Sequence, residues 1–241
     1  MAGLLINSGV SVRKGEIDKI NELEKSGVHV TFSGNGELSI DNVAVRSNGS
    51  HVKVHIGNGS YEMSLPREYK GRGRLDLEVY FHGKSGSLVI GVQNYQGNRF
   101  VVRFWGSNNK VFIGDDTTSN GTEIVVQGEN KKIKIGDDCM FARGVWIRNS
   151  DMHAIFDITT KERINPEQSV DIHNHVWLGQ DSFVRSCRIG RGAIIGARSM
   201  CTKDVEKYTL CVGTPAKKIK ENVSWDRGLE VTEETVDRLG L

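Results

Sequence analysis

The sequence predicts an all-β protein wound as a parallel β-helix. Three observations lead there. Of 241 residues, 28 are Gly and only 3 are Pro, whereas roughly 7% and 5% are usual. Turn-forming Gly, Asn and Ser clusters separate short apolar or alternating runs through most of the chain. An aliphatic–Gly step recurs at Ile56-Gly57, Ile90-Gly91, Ile113-Gly114, Ile135-Gly136, Leu178-Gly179, Ile189-Gly190 and Ile195-Gly196. Locally its spacing is six: Ile135, Phe141, Ile147; Ile172, Leu178, Val184; Ile189, Ile195, Cys201. That period fits neither a helix nor a flat alternating strand. It fits a solenoid in which every sixth side chain enters a narrow core, a small residue follows at each corner, and three steps close a triangular coil. The low aromatic content, 7%, agrees with aliphatic ladders filling such a core.

Val12 to Ser26 reads as a helix. Ile17, Ile20 and Leu23 recur among Glu and Lys, and Gly27 follows as a stop. From Val28 to about Lys134 the strand candidates are VHVTF, ELSI, VAV, HVKVHI, RLDLEVYF, SLVIGV, FVVRFW and KVFIG. SGNG, RSNGS, GNGS, HGKSG, QNYQGN and GSNN separate them as turns. Arg148 to Ser169 breaks the six-residue period, and a long excursion from a solenoid points to function because coil stacking has no need of it. Gly213-Thr214-Pro215-Ala216 is a turn before a basic tail, and Thr232 to Leu239 reads as a short capped helix.

Lys+Arg is 32 and Asp+Glu 30, a formal charge of +2. That balance, with no aromatic-rich platform, argues against a nucleic-acid partner. From Arg185 to Lys220, however, nine cations face only Asp204 and Glu206, so this segment is +7. No run of about 20 apolar residues supports a transmembrane segment, and the N-terminus lacks the features of a signal peptide; the expected location is cytoplasmic. Cys139, Cys187, Cys201 and Cys211 form no CxxC pair, so neither zinc nor disulfides are expected.

HVWLGQDSFV, IGRGAIIGARSMCTKDV and CVGTPAKKIKENVSWD, in that order along the hexapeptide steps, resemble the left-handed β-helix acyltransferases. Within these it is most similar to the O-acetyltransferases of bacterial capsule, exopolysaccharide and lipopolysaccharide synthesis. NSDMHAIFD, continuing to Arg163-Ile164-Asn165-Pro166, is similar to the excursion loop of that subgroup. The resemblance covers about residues 105 to 227. It implies a left-handed coil, a homotrimer with active sites between subunits, acetyl-CoA as co-substrate in the groove between neighbouring helices, and a carbohydrate acceptor. The +7 segment would then face the phosphates of coenzyme A.

Within that resemblance His153 is the candidate general base, since removing a proton from a sugar hydroxyl suits a group titrating near neutrality. Asp151 or Asp157 would orient it. Trp177 lies where the family has a tryptophan beside the acetyl group, and its indole N–H could meet the developing oxyanion. Gln180, Ala197, Thr202, Lys203, Lys217 and Lys220 are the donor-binding candidates by motif position, with Lys218 pointing the other way if the tail is extended. Arg198 stands where the family usually has Gly. His173 and His175, two apart on a strand, suggest trimer packing or substrate contact; without a third ligand no metal is expected. No cysteine is assigned as nucleophile.

The expected layout is a helix and strand-rich extension of the solenoid over 1–104, the acyltransferase β-helix over 105–212 with the excursion at 148–169, and a basic tail with a short helix over 213–241. The expected activity is acetyl transfer to a hydroxyl of a cell-surface polysaccharide or its sugar precursor by direct attack. Two alternatives stand beside it: N-acetylation of a nucleotide-linked amino sugar, and a non-catalytic glycan-binding solenoid.

Overall fold

The computed structural model describes residues 10–25, 27–41, 51–65, 75–92 and 98–240. The candidate strand at Val43–Val45, the RSNGS turn and most of QNYQGN lie outside these residues.

The chain winds as a parallel β-solenoid of the left-handed β-helix class. Its first coils are two-faced. β2 (Val28–Phe32) and β3 (Glu37–Asp41) form one, β4 (His51–Ile56) and β5 (Ser60–Ser64) the next. β6 (Leu75–Phe81) with β7 (Ser85–Ile90), then β8 (Asn98–Ser107) with β9 (Asn109–Ile113), continue the stack. Strands alternate buried and exposed residues, as in β6, where Leu75, Leu77, Val79 and Phe81 point inward. β5, in SYEMS, escaped the sequence reading because its inward pair, Tyr61 and Met63, is flanked by Ser and Glu.

β10 (Thr118–Glu129) changes the cross-section. It pairs with β8 along one long ladder, but on its other edge its first residues pair with β12 (Met140–Phe141) and its later ones with β13 (Val145–Arg148). A register shift between Asn120 and Thr122, at Gly121 with φ +136°, makes the bend. Only Gly holds such a φ without strain. From here the coils have three short faces: β11 (Lys132–Ile135), β14 (Val170–Ile172) and β17 (Arg188–Ile189) on one; β12, β15 (Trp177–Leu178), β18 (Ile194–Ile195) and β20 (Thr209–Val212) on another; β13, β16 (Phe183–Arg185) and β19 (Met200–Cys201) on the third.

One core column runs the whole length: Val30, Val54, Val79, Val102, Ile124, Ile147, Val184 and Cys201 stack in register. Burying each of its Val and Ile side chains contributes about 1.5–3 kcal/mol. The two-faced coils depart from the expected aliphatic filling. Their wider interior takes rings, with Tyr61 on Phe81 at 4.4 Å and Phe81 on Phe104 at 4.8 Å. The aliphatic–Gly steps are corners. Ile135 is fully buried, the Gly136 N–H donates to Ile172 O at 2.8 Å, and a Cβ on Gly136 would stand 2.3 Å from Asn174 Oδ1 and 2.7 Å from its N.

Both ends are covered, which removes the open parallel edges. At the start, β1 (Val10–Arg13) lies antiparallel on β3, and α1 (Ile17–Lys25) packs on β2 through Leu23. The expected helix is therefore shorter: Val12 belongs to β1, opposite Leu38, and Ile17 is exposed rather than on the apolar face. At the far end, β21 (Lys217–Glu221) runs antiparallel to β20. The tail then crosses back to α2 (Glu233–Leu239), where the Thr232 hydroxyl accepts from Thr235 N–H and Gly240 closes the last turn at φ +68°. Among the described residues no helix is long and apolar enough to cross a membrane.

Candidate active site

The excursion leaves the coil after Arg148 and rejoins it at Val170. Asn149, fully buried, fixes its departure: its side chain donates to Gln127 O and accepts from Gln127 N–H, both at 2.8 Å. The Ser150 hydroxyl donates to Gln127 Oε1 at 2.8 Å and accepts from Met152 N–H. Asn165 then ties the two arms of the loop. Its amide donates to Asp151 Oδ2 and to His153 O, each at 2.9 Å, while its carbonyl accepts from Ile155 N–H at 2.7 Å and Arg163 Nε at 3.2 Å. Arg163 in turn forks onto Glu167. The loop is thus a stitched hairpin, with a bridge between Phe156 and Arg163, and it presents His153 to solvent.

No carboxylate among the described residues pairs with the His153 ring. Asp157 caps a turn, accepting from Thr159 and Thr160 N–H, bonds that hold its carboxyl below the usual range. Asp151 accepts from the Arg185 guanidinium and from Asn165. It reaches His153 only through Asn165, which holds the histidine's backbone. Asn149, Asn165 and Arg185 were missed as supports; the Asn-Pro pair after the loop's polar run was the available signal for Asn165.

Trp177 stands on another face of the coil, between Met140 and Ile194 in register. Trp225 of the tail packs beside it, ring centroids 6.3 Å apart at 53°. Trp225 is itself clamped: its indole N–H donates to His175 O at 2.9 Å, its carbonyl accepts from His175 Nε2 at 2.9 Å, and the rings stack at 4.2 Å. His175 Nδ1 meets Asp138 Oδ2 at 2.7 Å, and Arg227 and Arg238 also reach that carboxylate. Burial would raise the Asp138 pKa, but hydrogen bonds from His175, Arg238 and Arg227 outweigh it and hold it at about 2. The expectation for His175 is therefore corrected. It sits past the strand at φ +57°, 3% exposed, and joins tail to coil rather than facing a substrate or a neighbouring subunit. His173 is exposed and lies 3.5 Å from Asp171.

The donor-binding candidates fall into three places. Gln180 and Ala197 occupy one corner, where Gln180 O accepts from Arg198 N–H at 2.7 Å and both side chains are exposed. Arg198 has φ +55°, the left-handed conformation that explains a usual Gly there. Thr202 and Lys203 follow β19, in the coil directly after the Arg148 and Arg185 rungs. Lys217 and Lys220 are exposed on β21. Lys218 binds Glu206 at 2.8 Å and Glu221 at 3.2 Å, whereas Lys203, Lys217 and Lys220 pair with no carboxylate among the described residues. His153 thus sits in the excursion between β13 and β14, and Trp177 on β15, one rung beyond β12. All four cysteines are free and buried; burial raises the Cys139 thiol to about 12. No group of three or more metal-ligating side chains occurs among the described residues.

A parallel β-solenoid with one structured excursion and a basic, strand-capped end defines the class of β-helix acyltransferases. No family model matches the chain. Over 121 residues it is 40% identical to a polysialic acid O-acetyltransferase of Escherichia coli O1:K1 / APEC, a match spanning 49% of this chain and only 39% of that protein. Over 168 residues it is 34% identical to the polysialic acid O-acetyltransferase of Neisseria meningitidis, spanning 60% of this chain and 77% of that one. Among solved structures, the polySia-specific acetyltransferase NeuO superposes with a TM-score of 0.68 at 27% identity, over 89% of this chain and 98% of that one. The polysialic acid O-acetyltransferase OatWY gives 0.66 at 28%, over 78% and 88%. The chain belongs to the hexapeptide-repeat O-acyltransferases, the family of these relatives.

Proposed function

We propose that the protein moves acetyl from acetyl-CoA to a hydroxyl of a cell-surface polysaccharide or its sugar precursor. The observation that carries this is the stitched loop, which holds an exposed His153, paired with no carboxylate among the described residues, beside the Arg185–Asp151 pair. The sequence relatives supply the acceptor class, since both act as polysialic acid O-acetyltransferases. His153 takes the proton from the acceptor hydroxyl as its oxygen attacks the thioester carbonyl. The Trp177 indole N–H, which bonds no described residue, donates to the oxygen on which charge develops. The tetrahedral adduct collapses to the sugar acetate, and the coenzyme A thiolate leaves with the proton from His153. No covalent enzyme intermediate forms, consistent with four buried cysteines.

Lys203, Lys217 and Lys220 hold the coenzyme's phosphates, with Gln180, Ala197 and Thr202 along the pantetheine. In the homotrimer that the family resemblance implies, the excursion carrying His153 reaches toward a neighbouring copy, and a working site draws His153 and Trp177 from two copies of a cytoplasmic chain. Free coenzyme A should be released only when a suitable glycan is added, and His153→Ala should lower kcat by at least about 10²-fold. Full activity in that variant would remove His153 as base. Product stability to mild alkali separates an ester from an amide.

A further inference from the structure

Arg148 and Arg185 are adjacent in register on β13 and β16, about 4.8 Å apart along the coil axis. Among the described residues the one carboxylate in contact with this pair is that of Asp151, and it is bound to Arg185 and Asn165. Arg148 has no carboxylate partner among the described residues, and its Nε is buried without a hydrogen-bond acceptor. A buried charged donor left unsatisfied is costly and calls for an explanation. The side chain is not loose: its guanidinium lies over the Trp146 ring at 4.6 Å. Trp146, Phe183 and Met200 are aligned on three successive rungs, with Trp146 and Met200 more than a third exposed. They make an apolar strip beside the arginine column, at the root of the loop that carries His153.

A rigid, unpaired guanidinium next to an apolar strip is matched by a ligand with a carboxylate on a sugar ring: the ring covers the strip and the carboxylate meets the fork. We propose that Arg148, backed by Arg185, is the subsite for a carboxylate of an acidic acceptor glycan, making Arg148 a residue that selects acidic over neutral polymers. This rests on the transferase reading above.

The test uses oligomers of polysialic acid and the same oligomers with their carboxyls reduced to alcohols. Arg148→Gln should raise the KM for the acidic oligomer about 10- to 100-fold, the loss of one charge-assisted pair, leaving kcat and the KM for acetyl-CoA unchanged. Arg148→Lys should fall between. The reduced oligomer should be equally poor with wild type and Arg148→Gln. A rise in the acetyl-CoA KM instead would assign Arg148 to a coenzyme phosphate and overturn the proposal, as would equal use of both oligomers by wild type. Calorimetric binding of the acidic oligomer, without acetyl-CoA, separates this from the parent reading. If no glycan is acetylated, the transferase reading falls, yet weaker binding by Arg148→Gln still supports the subsite. Equal binding by both proteins, or none by wild type, overturns it. A circular-dichroism melt confirms that both variants fold.

Discussion

Asn165→Ala is expected to disarm the excursion while leaving the solenoid standing. The substitution removes two donated bonds, to Asp151 and to His153 O, and two accepted ones, from Ile155 N–H and Arg163 Nε. Each contributes about 0.5–1.5 kcal/mol net, and water replaces much of that in a half-exposed loop, leaving about 1–2 kcal/mol of lost loop order. None of these bonds touches the β-ladders, so the global melting temperature should move by less than about 2 °C, although 1 kcal/mol of global destabilisation would shift a chain of this size by roughly 2–4 °C. In the proposed mechanism turnover depends on where the His153 imidazole is held, and a displacement near 1 Å costs on the order of 10²-fold. The expected kcat loss is therefore about 10- to 100-fold, read by thiol release from acetyl-CoA with a glycan acceptor. A kcat within twofold of wild type, or a melting temperature lowered by more than about 5 °C, would refute the assignment of Asn165 as the clasp that places His153.

Gly136→Ala should destabilise the fold by several kcal/mol, because its Cβ would stand 2.3 Å from Asn174 Oδ1 and 2.7 Å from Asn174 N; chemical denaturation measures it, and a loss under about 1 kcal/mol would show that the corner opens. Asp138, held at about 2 against an ordinary value near 3.8, stabilises the fold above about pH 4, and that contribution, about 2 kcal/mol, is lost as the pH falls toward 2. Asp138→Asn should therefore be less stable at pH 7 and show a shallower loss between pH 4 and 2, followed by thermal melts across that range. Native protein should react with a thiol reagent at none of its four cysteines within minutes, and at all four in denaturant, since each is buried; fast labelling of one would mark an accessible thiol.

The three-faced coils were legible because each six-residue step has its own signature, an inward aliphatic followed by a small corner residue. Gly136, Gly179, Gly190 and Gly196 all mark such corners. The two-faced coils were less so. Their longer strands alternate inward and outward residues, and the rings that fill them, Phe81 and Phe104, look like any strand residues in one dimension. The loop motif singles out His153 as a candidate, but it does not reveal the residues that brace the loop. Asn165 acts on residues ten and more positions away, and Arg185 meets Asp151 across 34 residues of sequence. His175 was misjudged for the same reason: its partner, Trp225, lies 50 residues on.

The excursion leaves no trace in the ladder that it interrupts. Ile135 pairs with Ile172 across the loop, and Ile172 pairs with Ile189 only seventeen residues further on, in the same column and with the same burial. The coil counts only the residues that line it. The loop therefore behaves as a cassette, whose length and chemistry can change without renegotiating the core. A chain in which the loop is replaced by a short turn is expected to keep its cooperative melt while losing turnover, so that within one molecule durability and chemistry are inherited separately.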